Sequence, residues 1–196
     1  MLTVRVAAVL VRQGMAQAAP PGVDPRAFLE AIAEDTYETV AGLDLVTPVL
    51  VTSVPGLDEI VWPGTEIVAI DDDEPLKAAI GRLKGDQVAV IGADAPDLPP
   101  LLIGKLFREL SRAQITVCPA EGGGAVALAW ALPAPAWADP DLDDPDVVAT
   151  LRAQAPGRRM VATTPGWHRL RTPEDVARLD PGLEGWESTR ALLALD

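Results

Sequence analysis

The chain is poor in the residues that staple small proteins or hold metals: it has one cysteine, Cys118, and one histidine, His168, in 196 residues. An internal disulfide is therefore excluded, and so is a zinc site built from clustered Cys and His. A lone thiol fits a reducing cytoplasm. Positive charge is also scarce: 16 Lys and Arg stand against 29 Asp and Glu, giving a formal net charge of −13. Such a surface repels polyanions, which argues against a nucleic-acid partner and confines any phosphate ligand to a local basic pocket. No apolar run approaches the roughly 20 residues needed to span a bilayer. The apolar start, Met1 to Leu10, lacks a basic leader, and Arg12-Gln13 follows where a cleavage site would be required, so it reads as a first strand.

What is present is enough for one domain covering residues 1–196, with 48% hydrophobic residues and no internal repeat or low-complexity segment. Apolar runs of strand length occur at Val4–Val11, Leu45–Val51, Glu66–Ile70, Gln87–Ile91, Ile115–Pro119, Ala125–Ala131 and Trp167–Arg171. They alternate with amphipathic segments, the pattern of a mostly parallel sheet covered by helices on both faces. Pro48 belongs at an edge or bulge, because proline cannot donate to a ladder. Asp24 as N-cap and Pro25 at the first helical position open a helix that carries Phe28, Ile32 and Val40 and stops at Gly42. Further helices are predicted from Pro75 to Leu83, from Pro99-Pro100 through Leu102, Leu106 and Leu110, and after the cap Thr172-Pro173-Glu174-Asp175. The Pro20-Pro21-Gly22 and 133–145 stretches are loops.

The most informative segment is the buried strand and acidic loop Val88-Ala89-Val90-Ile91-Gly92-Ala93-Asp94-Ala95-Pro96-Asp97-Leu98-Pro99-Pro100. Ligands in open α/β sheets sit at the carboxyl ends of strands, where a carboxylate can hold a divalent cation against a diphosphate. Asp94 and Asp97 have a plainer reading as caps of the following helix, and the pattern alone leaves both open. Cys118 ends an apolar strand and reads as a buried, inert thiol. His168 has no Ser or Cys partner motif and reads as a packed or surface side chain. The 139–146 cluster lacks the glycine and terminal glutamate of a calcium loop and reads as a solvated lead-in to a helix.

This loop resembles the Gly-Ser-Asp-x-Pro-Asp-Leu-Pro pattern of bacterial glycosyltransferase-like proteins related to molybdenum-cofactor and phospholactate guanylyltransferases. The segment Cys118-Pro119-Ala120-Glu121-Gly122-Gly123-Gly124 resembles that family's Pro-Ala-acid-Asp-Gly-Gly turn. Trp167-His168-Arg169-Leu170-Arg171-Thr172-Pro173-Glu174-Asp175-Val176 resembles its Trp-x-Asp-Val-Asp-Thr-Pro-Glu-Asp-Leu segment, and the helix carrying Phe28 to Val40 resembles its first helix. The resemblance implies a single three-layer α/β/α domain with a mixed, mostly parallel sheet, of the nucleotide-diphospho-sugar transferase superfamily. It also implies Asp94 as the catalytic, metal-binding residue, with Arg12, Gly14, Asp97, Glu121, Gly123, Arg169 and Arg171 around a bound nucleotide or nucleotide-sugar.

The departures are as specific as the matches. The first loop, Arg12-Gln13-Gly14-Met15-Ala16-Gln17-Ala18-Ala19, keeps a glycine but lacks the family's lysine, so only Arg12 brings charge to the phosphate cradle. Gly122 stands where the family has an aspartate, and Ala125-Val126 replaces an aromatic pair. The two aspartates of the last segment become Arg169 and Arg171, which period-2 alternation places on one face, with His168 on the other. Either both arginines point into solvent beside an acidic surface, or two guanidiniums facing Asp94 oppose magnesium or manganese and can replace it, since guanidinium pairs with carboxylate or phosphate. Two functions follow as expectations: a glycosyl- or nucleotidyltransferase-like nucleotide binder with reduced or lost metal-dependent catalysis, or a non-catalytic partner-binding or regulatory module on the same fold, its partner another protein or a second copy of itself.

Overall fold

The computed structural model describes residues 2–194. Seven strands, β1 (Arg5–Val11), β2 (Val46–Thr52), β3 (Glu66–Ala69), β4 (Gln87–Gly92), β5 (Ile115–Pro119), β6 (Ala125–Ala131) and β7 (Val161–Thr163), form one sheet in the order β3-β2-β1-β4-β6-β5-β7. All neighbouring pairs are parallel except β4·β6 and β5·β6, so β6 is the single reversed strand. The strand that leads to Asp94, β4, lies at the centre. The near-continuous apolar runs of β1 and β4 fit this placement, because a central parallel strand is covered on both faces. Pro48 sits on β2, and β3 pairs only with Val49–Thr52, leaving Pro48 on the stretch where β1 is the one neighbour.

Period-2 alternation sorts each strand into two cores. Ala7, Val9, Ala89, Ile91, Ala127 and Ala129 pack with Phe28, Leu29 and Ile32 of α1 (Pro25–Ala41) and with Ile103, Leu106 and Phe107 further along. Val6, Ala8, Val88, Val90, Leu128 and Trp130 face the other way, onto Leu76, Ala79 and Ile80 of α2 (Leu76–Ile80). The first layer is completed by α3 (Pro100–Glu109) and α5 (Glu187–Leu192), the second by α4 (Val147–Gln154) through Val147 and Leu151. The three-layer α/β/α expectation is thereby met.

Local signals hold where chemistry specified them. The Asp24 carboxylate accepts the Ala27 N–H at 2.8 Å, Pro25 opens α1, and the helix ends before Gly42. The second helix is shorter than its expected span of 75–83, because Gly81 ends it. The seventh strand needs correction: Trp167–Arg171 is not a ladder strand, and β7 is Val161–Thr163 on the open side of β5. After β7, Pro165 and Gly166 interrupt the ladder, but the chain stays beside β5, the Trp167 N–H donating to the Pro119 carbonyl at 3.1 Å. Trp167 makes one isolated bridge to Ala120, and Leu170 N–H then donates to the Asp94 carbonyl at 2.7 Å. The segment thus crosses the carboxyl ends of β5 and β4.

Candidate functional site

That crossing builds a cavity of about 310 Å³ at the carboxyl ends of β1 and β4, lined by Arg12, Gly14, Met15, Gln17, Asp72, Asp94, Asp143, Arg169, Leu170 and Arg171. Five of the eight expected site residues, Arg12, Gly14, Asp94, Arg169 and Arg171, meet here. Arg169 and Arg171 both line this cavity although their segment is not a strand.

Asp94 and Arg169 form the floor. Arg169 Nε lies 3.1 and 2.9 Å from the two Asp94 carboxylate oxygens, and Arg169 Nη2 lies 2.9 Å from Oδ2. Both side chains are buried, at 3% and 4% exposure. Arg169 Nη1 continues to the Leu142 carbonyl at 3.1 Å and to Asp143 Oδ1 at 2.8 Å. Burial pushes the Asp94 carboxyl up, while the Arg169 guanidinium pulls against that rise. Burial acts to lower Arg169, but Asp94 and Asp143 outweigh it and hold the guanidinium above its usual range. Gly92 makes the pairing sterically feasible, since a Cβ there would stand 2.7 Å from Asp94 Oδ1.

The rim is carried by Arg12, Asp72 and Arg171. Arg12 leans across to the chain beyond β3, where Nη2 donates to the Glu74 carbonyl at 2.6 Å and Nη1 to the carbonyls of Asp71 and Asp72. Asp72 accepts the Ser53 hydroxyl at 2.6 Å and the Gln13 N–H at 3.0 Å, and the Ser53 bond leads the causes that hold its carboxyl low. Arg171 differs from both neighbours. Its guanidinium has no hydrogen bond or ion pair among the described residues, and its Nη2 is buried without a partner. Burial, followed by the charge of Arg169, pushes it down from its usual range. A guanidinium in this state lacks an acceptor, which a bound anion would supply.

Three residues implied by the resemblance stand elsewhere. Asp97 is turned away from the cavity and buried, accepting His168 Nε2 at 2.9 Å, Trp167 Nε1 at 3.1 Å and the Asp180 N–H at 3.0 Å. It does not cap α3 either, whose N-cap is Pro99, and neither does Asp94. His168 is accordingly a packed side chain, stacked on Trp167. Glu121 is exposed and pairs with Arg178 at 3.3 Å, while Gly123, at φ 106°, packs on Pro145. The glycine that does matter to the cavity is Gly124, where a Cβ would stand 2.6 Å from both Arg171 Nη2 and the Leu142 carbonyl. Sequence reading also missed Asp72 and Asp143. Each is one aspartate in an acidic run, and nothing in the run marks which one turns inward. Cys118 is buried, with its thiol donating to the Pro165 carbonyl at 3.3 Å.

These residues do not suit a divalent cation. Both Asp94 oxygens are engaged by a guanidinium, and no group of three or more His, Cys, Asp or Glu is placed to hold a metal among the described residues. Among those residues, no helix is long and apolar enough to cross a membrane.

A family model described as "Uncharacterized protein conserved in bacteria (DUF2064)" matches residues 69–139, the stretch containing α2, β4, the Asp94 loop, α3, β5 and β6. No curated protein matches the chain significantly. Solved structures align over nearly its whole length. A protein from Desulfovibrio desulfuricans G20, described as a nucleotide-diphospho-sugar transferase, shares 17% identity at a TM-score of 0.67, over 99% of this chain and 97% of that one. CMP:2-keto-3-deoxy-manno-octonic acid synthetase, complexed with CTP, gives 14% identity and a TM-score of 0.58 over 97% and 98%. Rv0371c from Mycobacterium tuberculosis H37Rv, in complex with manganese, gives 17% and 0.55 over 99% and 100%. The chain therefore has the nucleotide-diphospho-sugar transferase fold.

Proposed function

We propose that this protein binds a nucleotide or nucleotide-sugar in the cavity at the carboxyl ends of β1 and β4 without a divalent metal, and that metal-dependent transfer is reduced or lost. One observation carries the reading: Arg169 holds both oxygens of Asp94, and the unpartnered Arg171 stands beside it at the same cavity. The protein structures that share the fold, one of them complexed with CTP, support a nucleotide as the ligand class. The test is a thermal-shift screen of nucleoside phosphates and nucleotide-sugars, each with and without magnesium or manganese. A ligand present at about 100 times its Kd stabilises a protein by about 2.7 kcal/mol, a shift of about 5–11 °C for a chain of this size. Stabilisation that is the same with and without metal is expected. Stabilisation that requires metal refutes the proposal.

A second reading, a partner-binding module on the same fold, draws on the outer edge of the sheet. There Ile67 of β3 and nearby Trp62 are exposed at 39% and 53%. Silence of every nucleotide, together with self-association lost on Ile67→Lys, would favour it.

A further inference from the structure

The charge and hydrogen-bond inventory of the cavity restricts its ligand further, on the reading that it takes a nucleotide. The lining holds three arginines, Arg12, Arg169 and Arg171, against three aspartates, Asp72, Asp94 and Asp143, and is formally neutral. Two of the arginines are committed. Arg12 donates to backbone carbonyls at positions 71, 72 and 74, and Arg169 donates to Asp94, Asp143 and the Leu142 carbonyl. Only the Arg171 guanidinium is left to receive an anion, and its Nη2 is buried without an acceptor. One guanidinium presents a planar fork that matches one phosphate through two parallel bonds.

The surroundings count against a longer phosphate chain. A second hollow, of about 340 Å³, shares Arg12, Asp72 and Asp143 with the cavity and continues it between the loops that follow β3 and precede α4. It adds Asp73, Glu74, Asp139 and Asp141 to its walls, so a polyphosphate extending that way would meet carboxylates. Each further phosphate adds negative charge to a protein already at −13, and no acidic cluster among the described residues is arranged to bring in a neutralising cation. A metal-dependent site escapes this problem because the ion shares the charge of the phosphate chain.

We propose that the cavity selects a nucleoside monophosphate, its single phosphate paired with Arg171, over the corresponding di- and triphosphates. Calorimetric titration of the intact protein tests this, using the four ribonucleoside monophosphates and their di- and triphosphate counterparts, each without and with millimolar magnesium. The monophosphate of the preferred base should bind tightest, with affinity falling along the series and unchanged by magnesium. Arg171→Ala should weaken it about ten- to a hundredfold, the range for losing hydrogen bonds to a charged group. Arg171→Lys, which keeps the charge but loses the fork, should lie between. Thermal melts of both variants check folding, which should stay intact because the Arg171 guanidinium makes no hydrogen bond or ion pair among the described residues.

Affinity that climbs from mono- to triphosphate, or that magnesium strengthens for the longer ligands, overturns monophosphate selection while nucleotide binding itself stands. Monophosphate binding unaffected by Arg171→Ala in a folded protein overturns the assignment to Arg171. Failure of every nucleotide to bind under every condition refutes nucleotide binding at this cavity, and this inference with it.

Discussion

Arg169 follows Asp94 by 75 positions, yet its Nε reaches both oxygens of that carboxylate, at 3.1 and 2.9 Å. Leu170 N–H donates to the Asp94 carbonyl in the same approach, so backbone and side chain fix one geometry. With both partners buried, removing either strands a charge. Asp94→Asn and Arg169→Gln are each expected to cost on the order of 3 kcal/mol. Asp143 and the Leu142 carbonyl still receive Arg169 in the first variant, so Arg169→Gln should be the more damaging when Asp94 is left without a cation. The double variant should be more stable than the two single effects predict, by about 1–3 kcal/mol in a denaturation cycle. Additivity within about 0.5 kcal/mol would mean that the two charges do not depend on each other.

The parts of this site legible in the sequence were those set by local chemistry or by alternation. The Asp24–Pro25 start of α1 and the central position of β4 follow from capping rules and from an unbroken apolar run. Arg169 and Arg171 reach one cavity because an extended segment alternates sides whether or not it joins a ladder. Pairing itself was not legible: Val161–Thr163 is too short to show a period, while Trp167–Arg171 has a strand's composition but lies beyond the end of β5. Nor could spacing say which acidic residues turn inward. Asp97 faces His168 and Asp143 faces Arg169, the reverse of what the acidic loop and the solvated run suggested. Glu121 and Gly123 came from family likeness alone, and the turn that carries them instead packs its neighbour Gly124 against Arg171.

The Asp97 carboxylate has a structural consequence independent of any ligand. It satisfies the Trp167 indole, the His168 ring and the Asp180 backbone, tying the Asp94 loop to the segment that carries Arg169. Asp97→Ala would leave buried donors unpaired, at about 1–3 kcal/mol each, so a loss of about 3 kcal/mol or more is expected. Asp97→Asn, which retains one acceptor oxygen, should lose less. Urea unfolding of the two variants measures the difference. Equal, small losses would show that water or a rearranged loop replaces this carboxylate.

Gly124 tests the fit around Arg171. Its φ of +77° disfavours any side chain by about 1–2 kcal/mol, and its Cβ would lie 2.6 Å from the Leu142 backbone oxygen. Backbone cannot yield as a side-chain tip can, so Gly124→Ala should destabilise by about 2–4 kcal/mol in total, with overpacking adding to the φ term. Gly14 lines the same cavity, but a Cβ there would meet nothing within 4 Å. Gly14→Ala is the matched control, and its stability should stay within about 0.5 kcal/mol of the parent. Comparable melting temperatures for the two variants would contradict the close approach at Gly124.

The pH dependence of stability should carry a component from Asp35, far from the cavity on α1. Its buried carboxylate accepts the Ser188 N–H at 3.0 Å and the Thr189 N–H at 2.7 Å, docking the start of α5. Burial pushes the carboxyl up to about 6 despite those bonds, and Glu187 adds to the rise. A carboxyl raised in the folded state binds its proton more tightly there than in the unfolded chain, whose value is near 3.8. The folded state therefore holds the extra proton between these limits, and stability falls as pH rises from about 4 to about 6. The full effect approaches about 3 kcal/mol, since each tenfold gain in proton affinity corresponds to about 1.4 kcal/mol. Asp72 and Asp175 have lowered carboxyls and act in the opposite direction at more acidic pH, so the component is read as a difference. Asp35→Asn keeps an acceptor for one N–H and cannot titrate. Subtracting its urea-derived stability from that of the parent at each pH should give a curve that declines through this window and is flat above it. A difference that instead rises with pH would mean that the two backbone N–H groups, rather than burial, dominate the ionisation of Asp35.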